Sequence, residues 1–308
     1  MNHVTHQSPT EATLPAKRHY DVVQLTAMGF RLLSVRLSAG SRIYGYYGPR
    51  TIRTGPRTFF KSGVRVDESE AEAMQFIANN TSIPVPKVHR VHKYNATTFI
   101  EMEFIPGKEA YVWYHMAPPD QRALLEELES YVRQLRSLVP PTPELVASAY
   151  GNYCLDHRIE LNPAGPFSTH DEFHYFLRMN EDLSGWHPER FAAVVRAHKE
   201  KYVSKFAHGD LAPRNVLVHK GRVSAIIDWD CAGWRPEYWE VTKSKYAPLH
   251  TPKEWLEAVE RGCGSSYELQ LEAEIQLWTV AEFPSSPGQV FPCKEDLDAL
   301  TQADEASC

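Results

Sequence analysis

Between residues 207 and 230 the chain reads AHGDLAPRNVLVHKGRVSAIIDWD, and no other stretch limits its fold and chemistry as tightly. His208, Asp210, Asn215, Asp228 and Asp230 fall within these residues, interleaved with the short β-prone runs 216–218 and 223–227. Lys220-Gly221 separates the two runs as a hairpin turn, which returns Asp228 to the neighbourhood of Asn215. Hard oxygen donors then gather at one end of a small hairpin. Asp228 and the side-chain carbonyl of Asn215 suit Mg²⁺, and Asp210 suits the task of orienting and deprotonating a hydroxyl. That combination predicts transfer of the γ-phosphoryl group of ATP to a hydroxyl acceptor. The competing reading of Asp210 and Asn215 is a polar turn capping its own backbone. His208 is expected to orient or pack. Asp230 has three readings, a second metal ligand, a contact to a cationic substrate or a charged loop residue, of which the last two are favoured.

Composition narrows the remaining classes. With 308 residues, 43% hydrophobic and 23% charged, the chain is long enough for one large domain or two lobes around a sizeable core. No apolar run approaches a spanning length, and residues 1–20 lack the apolar centre of a signal peptide. No membrane partner is expected. The five cysteines Cys154, Cys231, Cys263, Cys293 and Cys308 form no CxxC pair, which argues against a disulfide framework or structural zinc and suits a cytoplasmic location. The net charge of −6 is unevenly spread: 13 basic against 8 acidic residues up to Glu103, then 20 against 31. No basic cluster is interleaved with aromatics, so no nucleic-acid partner is expected. The oligomeric state is left open.

Hydrophobic spacing supplies the elements. Residues 22–37 are ambiguous between helix and short strands, and 58–61 end a β-prone run. Ala71, Met74, Ile77 and Ala78 form one stripe, predicting a helix over 67–79; residues 97–105 read as a strand stopped by Pro106-Gly107. Further helices are predicted over 120–138, after a Thr169/Glu172 capping box, over 188–201 with Pro188 in the first turn, over 253–261 with Gly262 as the stop, and near 266–281. The order is mostly β, then mostly helical with a small β insert. This is α+β rather than an alternating βαβ chain. The divisions expected are a disordered tail 1–20, a nucleotide-binding lobe 21–103, a catalytic and substrate lobe 104–283, and an acidic tail 284–308.

The run HGDLAPRNVLV followed by IIDWDCAGWRPEYWE resembles the aminoglycoside phosphotransferase/choline kinase superfamily, in the form found in fungal members of unassigned substrate. Asp210 and Asn215 have the spacing of the kinase catalytic loop, with Gly209 where protein kinases have Arg. The resemblance extends from about Tyr44 to Lys245. It implies a protein-kinase-like fold with a small β-rich first lobe and a larger, mostly helical second lobe. In FFKSG it implies Lys61 as the nucleotide lysine. In ESEAEAMQFI it implies Glu70 as the partner of that lysine, with Glu72 as the fallback. In IEMEFIPG it implies Met102 behind the adenine and main chain near Glu103 and Ile105 along the adenine edge. ATP and Mg²⁺ are the implied cofactors. The departures are equally specific. There is no Walker A sequence, no good GxGxxG beyond the turn residues Gly45 and Gly48, DWD instead of DFG, and nothing like APE after it. The missing Walker A sequence argues against a P-loop enzyme, and the other departures disfavour a protein kinase with a phosphorylated activation loop, so a constitutively assembled site is expected.

Trp113 and Tyr114 follow the hinge-like strand, and Trp234, Tyr238 and Trp239 follow the metal loop among Asp230, Glu237 and Glu240. Such a cluster suits an amine, so Trp234 and Glu237 join His208 and Asp230 as supporting or substrate residues, and the acceptor leans towards an amino-alcohol or aminosugar. Aromatic core packing is the competing explanation. Two rival functions stay open at this level. One is a catalytically silent kinase-like binding module. The other is a metal-dependent phosphoester hydrolase using His208, Asp210, Asp228 and Asp230 as ligands.

Overall fold

The computed structural model describes residues 19–245 and 251–280. The ambiguous stretch 22–37 resolves into a strand, β1 (Asp21–Gln24), and a helix, α1 (Ala27–Tyr44), divided at Leu25-Thr26 where the Thr26 hydroxyl accepts from the Gly29 N–H. The hairpin of β2 (Thr51–Gly55) and β3 (Thr58–Gly63) follows, then α2 (Glu68–Asn80), β4 (Val88–Tyr94) and β5 (Thr97–Glu103). These strands form one sheet in the order β1-β4-β5-β3-β2, antiparallel except for the parallel pair β1–β4. Asp67 caps α2 by accepting from the Ser69 N–H, so the chain leaves β3 and enters the next helix within a few residues.

The rest is mostly helical: β6 (Lys108–Glu109), α3 (Pro118–Ser137), the hairpin β7 (Cys154–Asp156) and β8 (Glu160–Ala164), α4 (His170–Leu177), α5 (Ala192–Ala197), β9 (Ser204–Ala207), the hairpin β10 (Val216–His219) and β11 (Arg222–Ile226), β12 (Gly233–Pro236), α6 (Trp239–Ser244), α7 (Lys253–Cys263) and α8 (Glu268–Trp278). The fold is α+β and protein-kinase-like, with a β-rich first lobe and a helical second one. Strand β10 joins β11 and β6, while β9 pairs with β12. The β10–β11 turn is Lys220-Gly221, both at positive φ, as a tight two-residue hairpin requires.

Three sequence-based expectations are corrected. Helix 188–201 shrinks to α5, because the side chain of Gln276 in α8 accepts from the Ala193 and Val194 N–H groups and so sets the start at Ala192. Gly262 does not stop α7. A β-carbon there would meet the Val132 β-carbon at 2.6 Å, so this glycine permits close approach to α3, and Gly264 at φ +82° ends the helix. Tyr20, assigned to a disordered tail, is buried in the main core. Residues 1–18 and 284–308 of the two predicted tails lie outside the described residues. The Thr169/Glu172 cap forms as expected, Thr169 accepting from the Glu172 N–H and Glu172 from the Ser168 N–H.

The main core runs from Met74, Ile77 and Ile100 beneath the sheet through Leu124, Leu128 and Phe206 to Trp229, Trp234 and Trp255. A smaller core, with Leu33, Leu37, Phe60 and Phe99, fixes α1 to the other face of the sheet. Against a third cluster, around α4 and α8, pack His170, His174 and His198, all buried. Burial lowers the first to about 4 and the last to about 3, and holds His174 well below its usual value. Each is therefore neutral when folded and takes up a proton when unfolded, so its contribution is present at neutral pH and is lost as pH falls below about 6.5. Between pH 7 and 5 stability to thermal unfolding is expected to fall by roughly 2 kcal/mol for each of His170 and His198, and His198→Gln to flatten that slope. Melting curves across this range provide the check; an unchanged slope in His198→Gln contradicts it.

Candidate active site

Phe60 and Lys61 are neighbours in β3 and so point to opposite faces of the sheet. Phe60 joins the core under α1, and Lys61 faces α2 and the second lobe. There its Nζ lies 2.7 Å from Glu70 Oε2, forms an ion pair with Asp228, and lies 3.9 Å from Asp230 Oδ2. Burial works against the Lys61 charge, but the three carboxylates outweigh it and hold the ammonium well above the usual lysine range. Burial also pushes Glu70 up to about 7, against the pull of Lys61. Glu70 is thus the lysine partner of the two glutamates considered. The helix that carries it packs against the turn containing Trp229–Cys231.

The catalytic-loop candidates form a second constellation. Asn215 donates through Nδ2 to both the main-chain oxygen and Oδ2 of Asp210, each at 2.8 Å. Asp210 Oδ1 is held by Arg214, which also bonds Tyr111. With its N–H groups engaged, Asn215 has its carbonyl left as an oxygen donor. The main-chain Ile227 N–H donates to Asn215 O at 2.9 Å, tying Asp228 to this loop. Asp228 sits in the left-handed region at φ 66°, ψ 57°, a conformation Asp tolerates but that is seldom adopted without a constraint. Gly209, at φ +76°, has an equally definite reason to be glycine. A β-carbon there would lie 2.8 Å from Cys231 O, which explains why no arginine stands between His208 and Asp210.

His208 is fully buried: its Nδ1 accepts from the Asp210 N–H at 3.2 Å and its Nε2 lies 3.0 Å from Ile227 O. Both ring nitrogens are engaged, so it packs and orients, and the four-residue metal cluster required by the hydrolase reading does not assemble. Asp230 accepts from His157 Nε2 at 3.0 Å. Burial alone would raise its carboxyl, but His157 and Lys61 carry it well below the usual carboxylate range, and the same hydrogen bond raises His157.

The aromatic cage for an amine is not built. Trp234, Tyr238 and Trp239 are buried in the core, Trp234 against Phe76 and Phe206. Glu240 accepts from the His208 and Gly209 N–H groups, and Glu237 turns to Tyr267 and the Val203 N–H. Trp234 and Glu237 therefore stand apart from the Lys61–Asp210 cluster. On the hinge side, Met102 is buried on β5. The Glu103 N–H donates to Lys87 O and the Phe104 N–H to Arg57 O, which removes the Glu103 N–H as an adenine contact. Ile105 follows the strand. Gly48 bridges to Thr51, the cross-strand partner of Lys61, so the glycine turn lies at the lysine end of the hairpin.

Sequence reading missed Arg214, His157 and the structural task of Glu240. Only Arg214 carried a local signal, a cation four residues after Asp210. Among the described residues no helix is long and apolar enough to cross a membrane.

Solved structures with this architecture include the gentamicin complex of APH(2'')-IIa, at 14% identity and a TM-score of 0.52 over 83% of this chain and 87% of that one. Another is aminoglycoside phosphotransferase APH(2'')-Ib with ADP bound, at 13% identity and a TM-score of 0.50 over 91% and 96%. At such identities the likeness is one of fold. No curated protein matches the chain. The model of the phosphotransferase enzyme family, however, matches residues 64–278, a span holding Glu70, the whole catalytic loop and Asp228. By that match the chain belongs to the phosphotransferase enzyme family.

Proposed function

We propose that this protein transfers the γ-phosphoryl group of ATP, with Mg²⁺, to a hydroxyl of a small molecule. The observation that carries the reading is the joining of two constellations: Lys61–Glu70 from the first lobe meets Asp228, and Asp228 is tied through Ile227 to the Asp210–Asn215 loop. The donor set fits Mg²⁺, which favours one or two protein oxygens plus phosphate oxygens. Asp228 and the Asn215 carbonyl would hold it. Bound there, the ion would supply positive charge to the phosphates and to the charge that builds during transfer.

The chain's own residues divide the remaining work. Lys61, kept charged and fixed by Glu70, would bind the nucleotide phosphates. Met102 would back the adenine, with main chain at Glu103 and Ile105 along its edge; of that main chain the Glu103 carbonyl and the Ile105 N–H are the atoms proposed. Arg214 and Asn215 fix the carboxylate of Asp210 from two sides. Asp210 then accepts the proton of the acceptor hydroxyl as its oxygen bonds to phosphorus and the bond from phosphorus to the leaving oxygen of ADP breaks. Asp230, oriented by His157, lies 3.9 Å from the Lys61 ammonium and adds negative charge beside the site.

Amino-alcohols and aminosugars are the acceptors to try first, given the acidic second part of the chain and the gentamicin-bound and other aminoglycoside kinase neighbours. The test is incubation with γ-labelled ATP and Mg²⁺ across a panel of hydroxylated amines and neutral polyols. ADP formation that depends on an acceptor, with label in that acceptor, is expected. Nucleotide-independent release of phosphate from phosphoesters would instead establish the hydrolase, and the absence of any turnover would favour the binding module.

A further inference from the structure

Helix α1 has two apolar faces, and only one is used. Leu33 and Leu37 are buried against Phe60 and Phe99. Met28, Leu32, Val35 and Ile43 are 62%, 66%, 68% and 72% exposed, and Ala39 is exposed among them. At 3.6 residues per turn these five positions fall within an arc of about 80°, in a line about 22 Å long. Tyr46, 79% exposed, stands just past the end of the helix. Isolated exposed apolar residues need no explanation; a continuous stripe of them on one helix marks a contact surface. The charges around it are of one sign. Arg31 and Arg42 flank the stripe on one side and Arg36, paired with Glu101 at 2.8 Å, on the other, and α1 contains no acidic residue.

We propose that this face of α1 docks on an anionic lipid surface. The stripe is a convex ridge of aliphatic side chains with cations at its margins, and such a helix lies in the plane of a bilayer interface, its apolar residues in the acyl boundary and its arginines among acidic headgroups. A protein partner is less well matched, because binding hot spots use aromatic anchors and enclosed pockets that the five stripe positions do not provide. A second copy of the chain would bring Arg31 and Arg42 against their equivalents. The placement also leaves the site free. Helix α1 covers the Phe60 face of the sheet and Lys61 points from the opposite face, so a bound surface would not obstruct the Lys61–Asp228 cluster. A surface contact of this kind departs from the sequence-based expectation of no membrane partner, which rested on the lack of a spanning segment.

Co-sedimentation of the full chain with phosphatidylcholine vesicles, with and without phosphatidylserine, tests the proposal. Binding is expected only to the anionic vesicles and should weaken as salt is raised. Leu32→Ser with Val35→Ser, and separately Arg31→Glu with Arg42→Glu, should each reduce it about tenfold or more while leaving the melting temperature unchanged. Failure of the wild type to bind anionic vesicles overturns the proposal, as does binding that neither double variant weakens. A dimer in light scattering that Leu32→Ser with Val35→Ser disperses would assign the stripe to a second copy and also overturn it.

Discussion

Asp210→Asn is expected to lower kcat for phosphoryl transfer by about 10²–10⁴-fold while leaving the fold intact. The substitution keeps the shape of the side chain and most of its surroundings, since Asp210 is partly open to solvent and is held at its edges by Arg214 and Asn215. What it removes is the capacity to accept a proton. It also sets an amide beside Asn215 Nδ2 or the Arg214 guanidinium, where a carboxylate oxygen had accepted from each. Nucleotide binding, proposed to rest on Lys61 and Asp228, should persist. Steady-state kinetics with an accepted hydroxyl substrate, together with a melting curve, separate the two effects. Activity within a few-fold of wild type would remove Asp210 from the role of base.

The largest effect on stability is expected at Arg158. This residue is buried, its guanidinium 2.6 Å from Glu274 Oε2 and placed over the rings of Trp239 and Trp278 at 4.2 and 4.9 Å. Arg158→Ala leaves Glu274 buried without its main counter-charge and opens space between two indoles, at a cost of about 3–5 kcal/mol in urea unfolding. Burial already pushes Glu274 up to about 7. A carboxyl raised in the folded state binds its proton more tightly there than when unfolded, so its contribution is lost as pH rises through that value. The deficit of Arg158→Ala should accordingly be smaller at pH 5 than at pH 8. Arg158→Met combined with Glu274→Leu should recover much of the loss, because a buried ion pair replaced as a unit by apolar groups is often nearly neutral. A loss unaltered by pH and by the second substitution would show that packing alone is involved.

The parts of the site that were legible in sequence are those whose geometry is local. Asp210, Asn215 and Asp228 flank the open end of one short hairpin, so spacing and a Lys220-Gly221 turn suffice to bring them together. Lys61 and Glu70 follow each other on a strand and the next helix. Glu240 was not legible, since accepting from the His208 and Gly209 N–H groups depends on how α6 returns beneath the catalytic loop. Trp234 and Glu237 were misplaced for the converse reason. Proximity to Asp228 in sequence suggested the substrate side, whereas β12 carries Trp234 into the core through its pairing with β9. Helix α1 escaped recognition because its apolar residues feed two opposite faces, and a helix apolar on both sides gives no single stripe to detect.

The most direct test of the central claim is thermal stabilisation by ATP, with and without Mg²⁺, in the wild type and in Asp228→Ala. Ligand at 100–1,000 times its dissociation constant should add about 3–4 kcal/mol to the wild type. The account predicts a shift of several degrees that requires Mg²⁺ and is lost in Asp228→Ala. No shift with ATP or GTP, or a shift of equal size without Mg²⁺ and in the variant, would contradict it.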